Sequence, residues 1–217
     1  MNRDKADLKK GEIAREKIME AARRVFAKLP YNVASLRMIA KEGGFDHPLI
    51  RYYFPTKADL FAAVVERLVE EFYQAHFTWL EGLDTMPAGQ GFKTMLSRVV
   101  DYDEKNPDAM RIIMQNLPQV DRLDSIPGYQ LVPMLFETMR STYLKKVPLS
   151  GPEEEVEMFF STFFATIVNG LGGSTAYSQH LNLSPAEYRN WLKEAFSCMY
   201  IPWLVRLTIP GNRTKGM

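Results

Sequence analysis

Three histidines, one cysteine and a short acidic run are the obvious places to look for chemistry in this 217-residue chain. His47, His76 and His180 lie far apart, and no two of them have metal-ligand spacing on one helix. Cys198 has no histidine near it in sequence to activate it as a nucleophile. Glu153, Glu154 and Glu155 follow Pro152 at a predicted helix start, where negative charge suits the helix dipole and needs no chemical reason. The run Gly170-Leu171-Gly172-Gly173 sits late in an apolar helical segment and lacks the Gly-Lys-Ser/Thr ending of a phosphate loop. Close helix packing or a kink, with room beside it for a ligand, is the expectation there. The reading is a chain with no catalytic residues, no metal and no cofactor: not an enzyme.

A different chemistry is written between Ser35 and Lys57. Arg37 carries a planar fork suited to guanine O6 and N7 or to a phosphate. Tyr52, Tyr53 and Lys57, with the free N–H groups of a following helix start, suit phosphate oxygens. His47, Pro48, Leu49 and Arg51 complete a candidate DNA-facing set with Ser35. Charge points the same way. Residues 1–58 hold 13 Lys+Arg against 7 Asp+Glu, a net of +6, whereas residues 59–217 hold 14 against 19, a net of −5. A basic head on an acidic body implies that the head meets a polyanion.

The elements that must position these residues read as helices, because apolar residues recur at steps of three and four. Ile18, Ala21, Ala22, Val25, Phe26 and Leu29 form the stripe of a first helix. A short second helix spans 36–42, capped by Ser35 and stopped by Gly43-Gly44. A third begins after Asp46, with Pro48 in its first turn, and ends before Pro55. Ile39 and Ala40 face Ile50 and Phe54 across a tight turn at Gly44, with Phe45 expected to plug the core. Such a pair leaves His47, Leu49, Arg51 and Tyr52 outward, where an α-helix enters a major groove. A long fourth helix runs from Thr56 to about Leu80, with Leu60, Val64, Leu68 and Phe72 at regular spacing. Proline and glycine punctuation divides the remainder into five helices near 90–104, 107–116, 129–146, 153–179 and 185–207. The predicted fold is all-α with about nine helices.

The combined pattern of Ile18, Ala21, Ala22 and Phe26, then Ile39-Ala40, Gly44-Phe45, Tyr53-Phe54-Pro55-Thr56-Lys57 and Leu60 resembles the DNA-binding region of the TetR family of bacterial regulators. The resemblance covers about a quarter of the chain. Where the family often has a tyrosine this chain has Arg51, which puts the phosphate role on Tyr52 or Arg51. The usual glycine-aromatic pair after the first helix appears as Leu29-Pro30-Tyr31, with Tyr31 keeping the packing role. The resemblance implies an N-terminal three-helix helix-turn-helix domain (1–58, with a loose arm at 1–11). A long helix joins it to a C-terminal ligand-binding and dimerisation domain (59–217). It further implies a homodimer on a palindromic double-stranded operator, acting as a repressor released by a small-molecule effector. The same head could serve an activator or a corepressor-dependent regulator. A reading from another class is an all-α carrier or enzyme with an incidental basic head.

In that body Phe92, Met95, Tyr102, Met110, Met114, Met134, Phe136, Met139, Phe163 and Asn169 are candidate pocket residues for an apolar or aromatic ligand, with Arg111 or Asn169 as a polar anchor. The last two long helices imply a dimer interface through Phe160, Phe164, Trp191, Phe196 and Trp203. At 46% hydrophobic the chain can bury a sizeable core. One cysteine excludes a disulfide framework, no N-terminal apolar run reads as a secretory signal, and no apolar stretch reaches the roughly 20 residues of a bilayer span. The expected location is the cytoplasm, with no membrane partner. The polar start and the tail after Pro210 read as loose ends.

Overall fold

A computed structural model describes residues 2–119, 122 and 125–208; the side chains of residues 2–10 and 119 are not part of that description. Met1 and the tail after Pro210 lie outside the described residues. The described residues form ten α-helices and two single 3-10 turns. In chain order the helices are α1 (Asn2–Lys28), α2 (Leu36–Gly43), α3 (His47–Tyr53), α4 (Lys57–Trp79), α5 (Ala88–Lys105), α6 (Pro107–Asn116), α7 (Leu131–Lys146), α8 (Glu153–Gly172), α9 (Ser174–His180) and α10 (Pro185–Thr208). The backbone groups into two compact units. The first takes in residues up to Glu70 together with Arg111–Val132, more than residues 1–58 alone, and the second holds Glu71–Met110 and Pro133 onward.

In the first unit the α1 stripe of Ile18, Ala21, Ala22, Val25 and Phe26 is buried with Ile39, Ile50 and Phe54 and with Leu60, Phe61 and Val64 of α4. The Phe26 and Phe61 rings meet edge to face at 4.7 Å, a geometry that suits their quadrupoles. Arg24 and Lys28 of α1 pair with Glu42 of α2 at 2.9 and 3.4 Å, and these contacts hold the Glu42 carboxyl below the usual range. The segment 111–132 closes on the same unit. Gln115 Nε2 donates to the Ala27 carbonyl at 2.5 Å, and the fully buried Asn116 accepts from the Tyr31 amide through Oδ1 at 2.8 Å. Asn116 Nδ2 donates to Ile112 O, so both ends of its amide are used. Tyr129 donates its hydroxyl to Ile113 O. Gly128, at φ +75°, lies so close to α4 that a Cβ there would stand 3.1 Å from Ala62 Cα.

In the second unit an aromatic core forms from Phe92 of α5, Phe159 and Phe163 of α8, and Phe196 and Tyr200 of α10. The expected single helix over 153–179 is two, α8 and α9, broken at Gly173. A Cβ at Gly173 would fall 2.7 Å from the Tyr177 ring and 2.9 Å from Asn169 O. At Gly170 the constraint is packing. A Cβ would meet Leu192 at 2.9 Å, and the Gly170 carbonyl accepts from Tyr188 Oη at 2.8 Å. Among the described residues no helix is long and apolar enough to cross a membrane.

Candidate nucleic-acid interface and ligand cavity

The turn between α2 and α3 is built by local rules. Ser35 Oγ accepts from the Met38 amide at 3.3 Å, satisfying one of the unpaired donors of a helix start. Gly44 takes the left-handed conformation at φ 68°, and the Phe45 amide bonds back to Ala40 O at 2.9 Å. Phe45 does not plug the core as expected; it is half-buried and lies across Gly43, where a Cβ would be only 2.0 Å from its ring. Pro48 sits in the first turn of α3, as expected.

The two faces of α3 differ sharply. Ile50 is wholly buried, whereas Tyr52 is 81% exposed and Pro48, Leu49 and Arg51 are exposed with it. Arg37 on α2 is exposed; His47 and Tyr53 are half-buried, and Tyr53 meets Tyr52 edge to face at 5.0 Å. Lys57 is committed locally. Its Nζ donates to the carbonyls of Tyr31 at 2.7 Å and Ala34 at 2.9 Å and sits 4.3 Å from the Tyr31 ring centre. Burial pushes its ammonium below the usual lysine range. One ammonium proton remains for an outside acceptor, so Lys57 first fixes the loop between α1 and α2. Tyr31 packs on Phe61 at 4.8 Å, as the sequence led us to expect.

A second feature is an aromatic cavity in the second unit with about 460 Å³ of unfilled space, part of it open to solvent. The end of α4 supplies His76 and Trp79, with Leu80 just beyond; α5 supplies Phe92, Met95 and Val99; α7 supplies Met139 and Tyr143. The remaining wall is Phe159, Phe160, Phe163 and Phe164 of α8. Burial raises the Tyr143 phenol well above its usual range, so it stays neutral.

Of the expected pocket residues, Phe92, Met95, Met139 and Phe163 come together here. Tyr102 is set one layer back, against Phe72 and Trp79, and Phe136 stacks on Phe164 at 4.7 Å. Met110 is buried away from the lining, and Met114 and Arg111 belong to the other unit. Met134 is 63% exposed, and Asn169 is exposed with Nδ2 on the Ala165 carbonyl; neither reaches the cavity. The expected dimer residues also need correction. Phe160 and Phe196 are buried inside the protomer, and Phe160 and Phe164 line the cavity. Trp203 is half-buried, with Nε1 donating to Glu155 at 3.2 Å, and Trp191 alone of the five is exposed. His76 escaped notice as a lining residue, although it continues the four-residue stripe Leu60, Val64, Leu68, Phe72.

Two short helices crossing at a glycine turn, with an apolar inner and a polar, aromatic outer face, define a helix-turn-helix protein of the all-α class. The model of the bacterial regulatory proteins of the tetR family matches residues 18–64. The match takes in the end of α1, all of α2 and α3, and the start of α4. It is 28% identical over 106 residues to the HTH-type transcriptional repressor NicS of Pseudomonas putida, a match that covers 48% of this chain and 49% of that relative. The chain therefore spans about half the length of the curated relative it matches. Among solved structures it resembles a transcriptional regulator from Rhodococcus sp. Rha1 (TM-score 0.64, 20% identity, 88% of this chain and 97% of that one). A tetR-family regulator from Streptomyces coelicolor is similar (TM-score 0.61, 18% identity, 93% and 92%). At these identities the structures speak for the fold.

Proposed function

We propose that this chain is a sequence-specific DNA-binding repressor that acts as a homodimer on a palindromic operator and leaves it when a small apolar or aromatic molecule binds. The observation that carries the reading is α3, which buries Ile50 completely while exposing Leu49, Arg51 and Tyr52 on the opposite face. An exposed aromatic and cationic face beside Arg37 suits base edges and phosphates, and the +6 head adds attraction to a polyanion. The description of the P. putida relative as a repressor supports the sign of the regulation. Dimerisation is supported by a face of α10 on which Trp191, Cys198, Pro202 and Val205 are all exposed at steps of seven, four and three residues. Two heads related by a two-fold axis call for half-sites one helical turn apart or a multiple, roughly 34–36 Å in the simplest case.

Gel shifts with the chain's own upstream DNA across a salt series test the reading. A specific complex should weaken with a log–log slope of about −0.9 per phosphate contact. Arg37→Ala and Tyr53→Phe should weaken the specific shift, and Trp191→Glu should yield monomers on a sizing column and lose it. A shift without sequence preference, unmoved by Arg37→Ala, would instead support a carrier with an incidental basic head. Expression of the neighbouring genes should rise in a deletion strain; a fall would indicate an activator.

A further inference from the structure

We infer that Asn116 is a positioning residue for DNA binding: its buried amide holds the loop between α1 and α2 from outside the helix-turn-helix, and so sets α2 and α3 in the placement that reads an operator. The inference rests on the DNA-binding reading above and deepens it. Asn116, the last residue of α6, is wholly buried and lies 85 residues along the chain from the loop it grips. Its Oδ1 accepts from the Tyr31 amide at 2.8 Å, and its Nδ2 donates to the Ile112 carbonyl at 2.8 Å. Reversing the amide would set a donor against an N–H and an oxygen against a carbonyl, so both partners fix its orientation.

The loop needs such a hold. The Leu29, Val33 and Ala34 amides bond to Val25 O and Pro30 O, which shapes the loop without tying it to a later element. Ser35, the next residue, is the N-cap of α2, so a shift of the loop passes directly into the start of the helix-turn-helix. Two clamps meet at Tyr31. Lys57 takes the Tyr31 and Ala34 carbonyls, while Asn116 takes the Tyr31 amide and Gln115 beside it donates to the Ala27 carbonyl in the last turn of α1. A lysine stem is long and adaptable, whereas a buried amide bonded at both ends cannot turn without giving up a hydrogen bond. Being wholly buried, Asn116 cannot meet DNA and acts through the loop. Holding a recognition helix in its bound placement before DNA arrives removes an ordering cost from specific binding. Attraction between a basic head and phosphates at large does not need that placement.

Operator binding is measured with the DNA upstream of the chain's own gene, and non-specific binding with a shuffled duplex of the same composition. The proteins are the full chain, Asn116→Leu, Asn116→Asp and Tyr129→Phe, with Tm taken for each. Asn116→Leu, close in size but without an acceptor, should weaken operator binding about tenfold, as expected for one donor left unmade, and leave shuffled-duplex binding unchanged. Asn116→Asp keeps an acceptor oxygen for the Tyr31 amide but buries a carboxylate, so of the two it should have the lower Tm and the higher operator affinity. Tyr129→Phe removes another buried hydrogen bond of the same segment, to Ile113 O, and should lower Tm with operator affinity unchanged. Operator affinities that follow the order of Tm, or an Asn116→Leu variant that binds the operator as the full chain does, overturn the inference and leave the DNA-binding reading standing. Where Asn116→Asp fails to fold, Asn116→Leu against Tyr129→Phe decides, and an equal operator loss in both overturns the inference. If the full chain itself shows no preference for the upstream DNA, that reading fails and the inference falls with it.

Discussion

His76, in the cavity wall, ties the stability of the fold to solution pH. Burial lowers its pKa, and the carbonyls of Tyr73 and Phe72 only partly offset this. Tyr143, the other titratable side chain in the wall, is held neutral by its own burial. In the unfolded chain the imidazole titrates near its ordinary value, about 6.5. Above that value both states are neutral and the pair contributes nothing to pH dependence. As the pH falls below it, the unfolded state takes up a proton that the folded state refuses, so stability declines until the folded pKa is passed. The loss approaches about 1.4 kcal/mol per pH unit at most within that window. Tm should therefore fall between pH 7.5 and 5.5, and His76→Leu should flatten the fall. It should also raise Tm at pH 7.5, because it removes a buried nitrogen without a partner. An equal acid-induced drop in both proteins would show that other groups control it.

At the scale of elements, the segment around Gly128 packs closely on α4 in the first unit. Gly128→Ala combines two penalties, a left-handed φ of +75° and a Cβ 3.1 Å from Ala62 Cα and 3.3 Å from Val65 Cβ. Gly82 offers a control, since its φ of +73° is the same strain but a Cβ there meets only the Met86 methyl at 3.9 Å. Gly82→Ala should cost about 1 kcal/mol from backbone strain alone, and Gly128→Ala a further 1–3 kcal/mol or so from overpacking. Denaturant midpoints of the two variants would check the order; equal losses would mean that the segment yields freely. The contrast also shows what sequence could and could not reveal. The α2–turn–α3 unit was legible because Ser35, Gly44 and Pro48 act on backbone within four residues of themselves, although Asp46, at the N-cap position of α3, makes no side-chain capping bond. The docking of 111–132 was not, since Gln115 and Ala27 are 88 residues apart and nothing local in either announces the other. The cavity was half legible for a similar reason. Residue type picked out Phe92, Met95, Met139 and Phe163, but α7 has apolar side chains around much of its circumference, so type could not say that Met134 faces out and Met139 in. His76 has no metal-ligand spacing to mark it; its sign in the sequence is a polar residue at the next step of an apolar stripe.

For the whole molecule, the proposed release of DNA by ligand imposes a thermodynamic symmetry. A molecule that binds the DNA-free and DNA-bound forms equally shifts nothing, however tightly it binds. If a small aromatic probe such as 4-propylphenol weakens operator binding by some factor, operator DNA must weaken 4-propylphenol binding by that same factor. Typical couplings of 1–3 kcal/mol correspond to about 5- to 150-fold, within reach of calorimetry on the free and operator-saturated protein. One element is well placed to carry the effect, because α4 holds Leu60 and Phe61 of the first core at its start and His76 and Trp79 of the cavity wall near its end. Salt separates this from direct competition for the basic head. A probe acting from within an apolar cavity should keep its coupling factor as ionic strength rises, although operator affinity itself falls steeply through phosphate screening and counterion release. Equal affinity of 4-propylphenol for free and operator-bound protein would rule out ligand-driven release by this route.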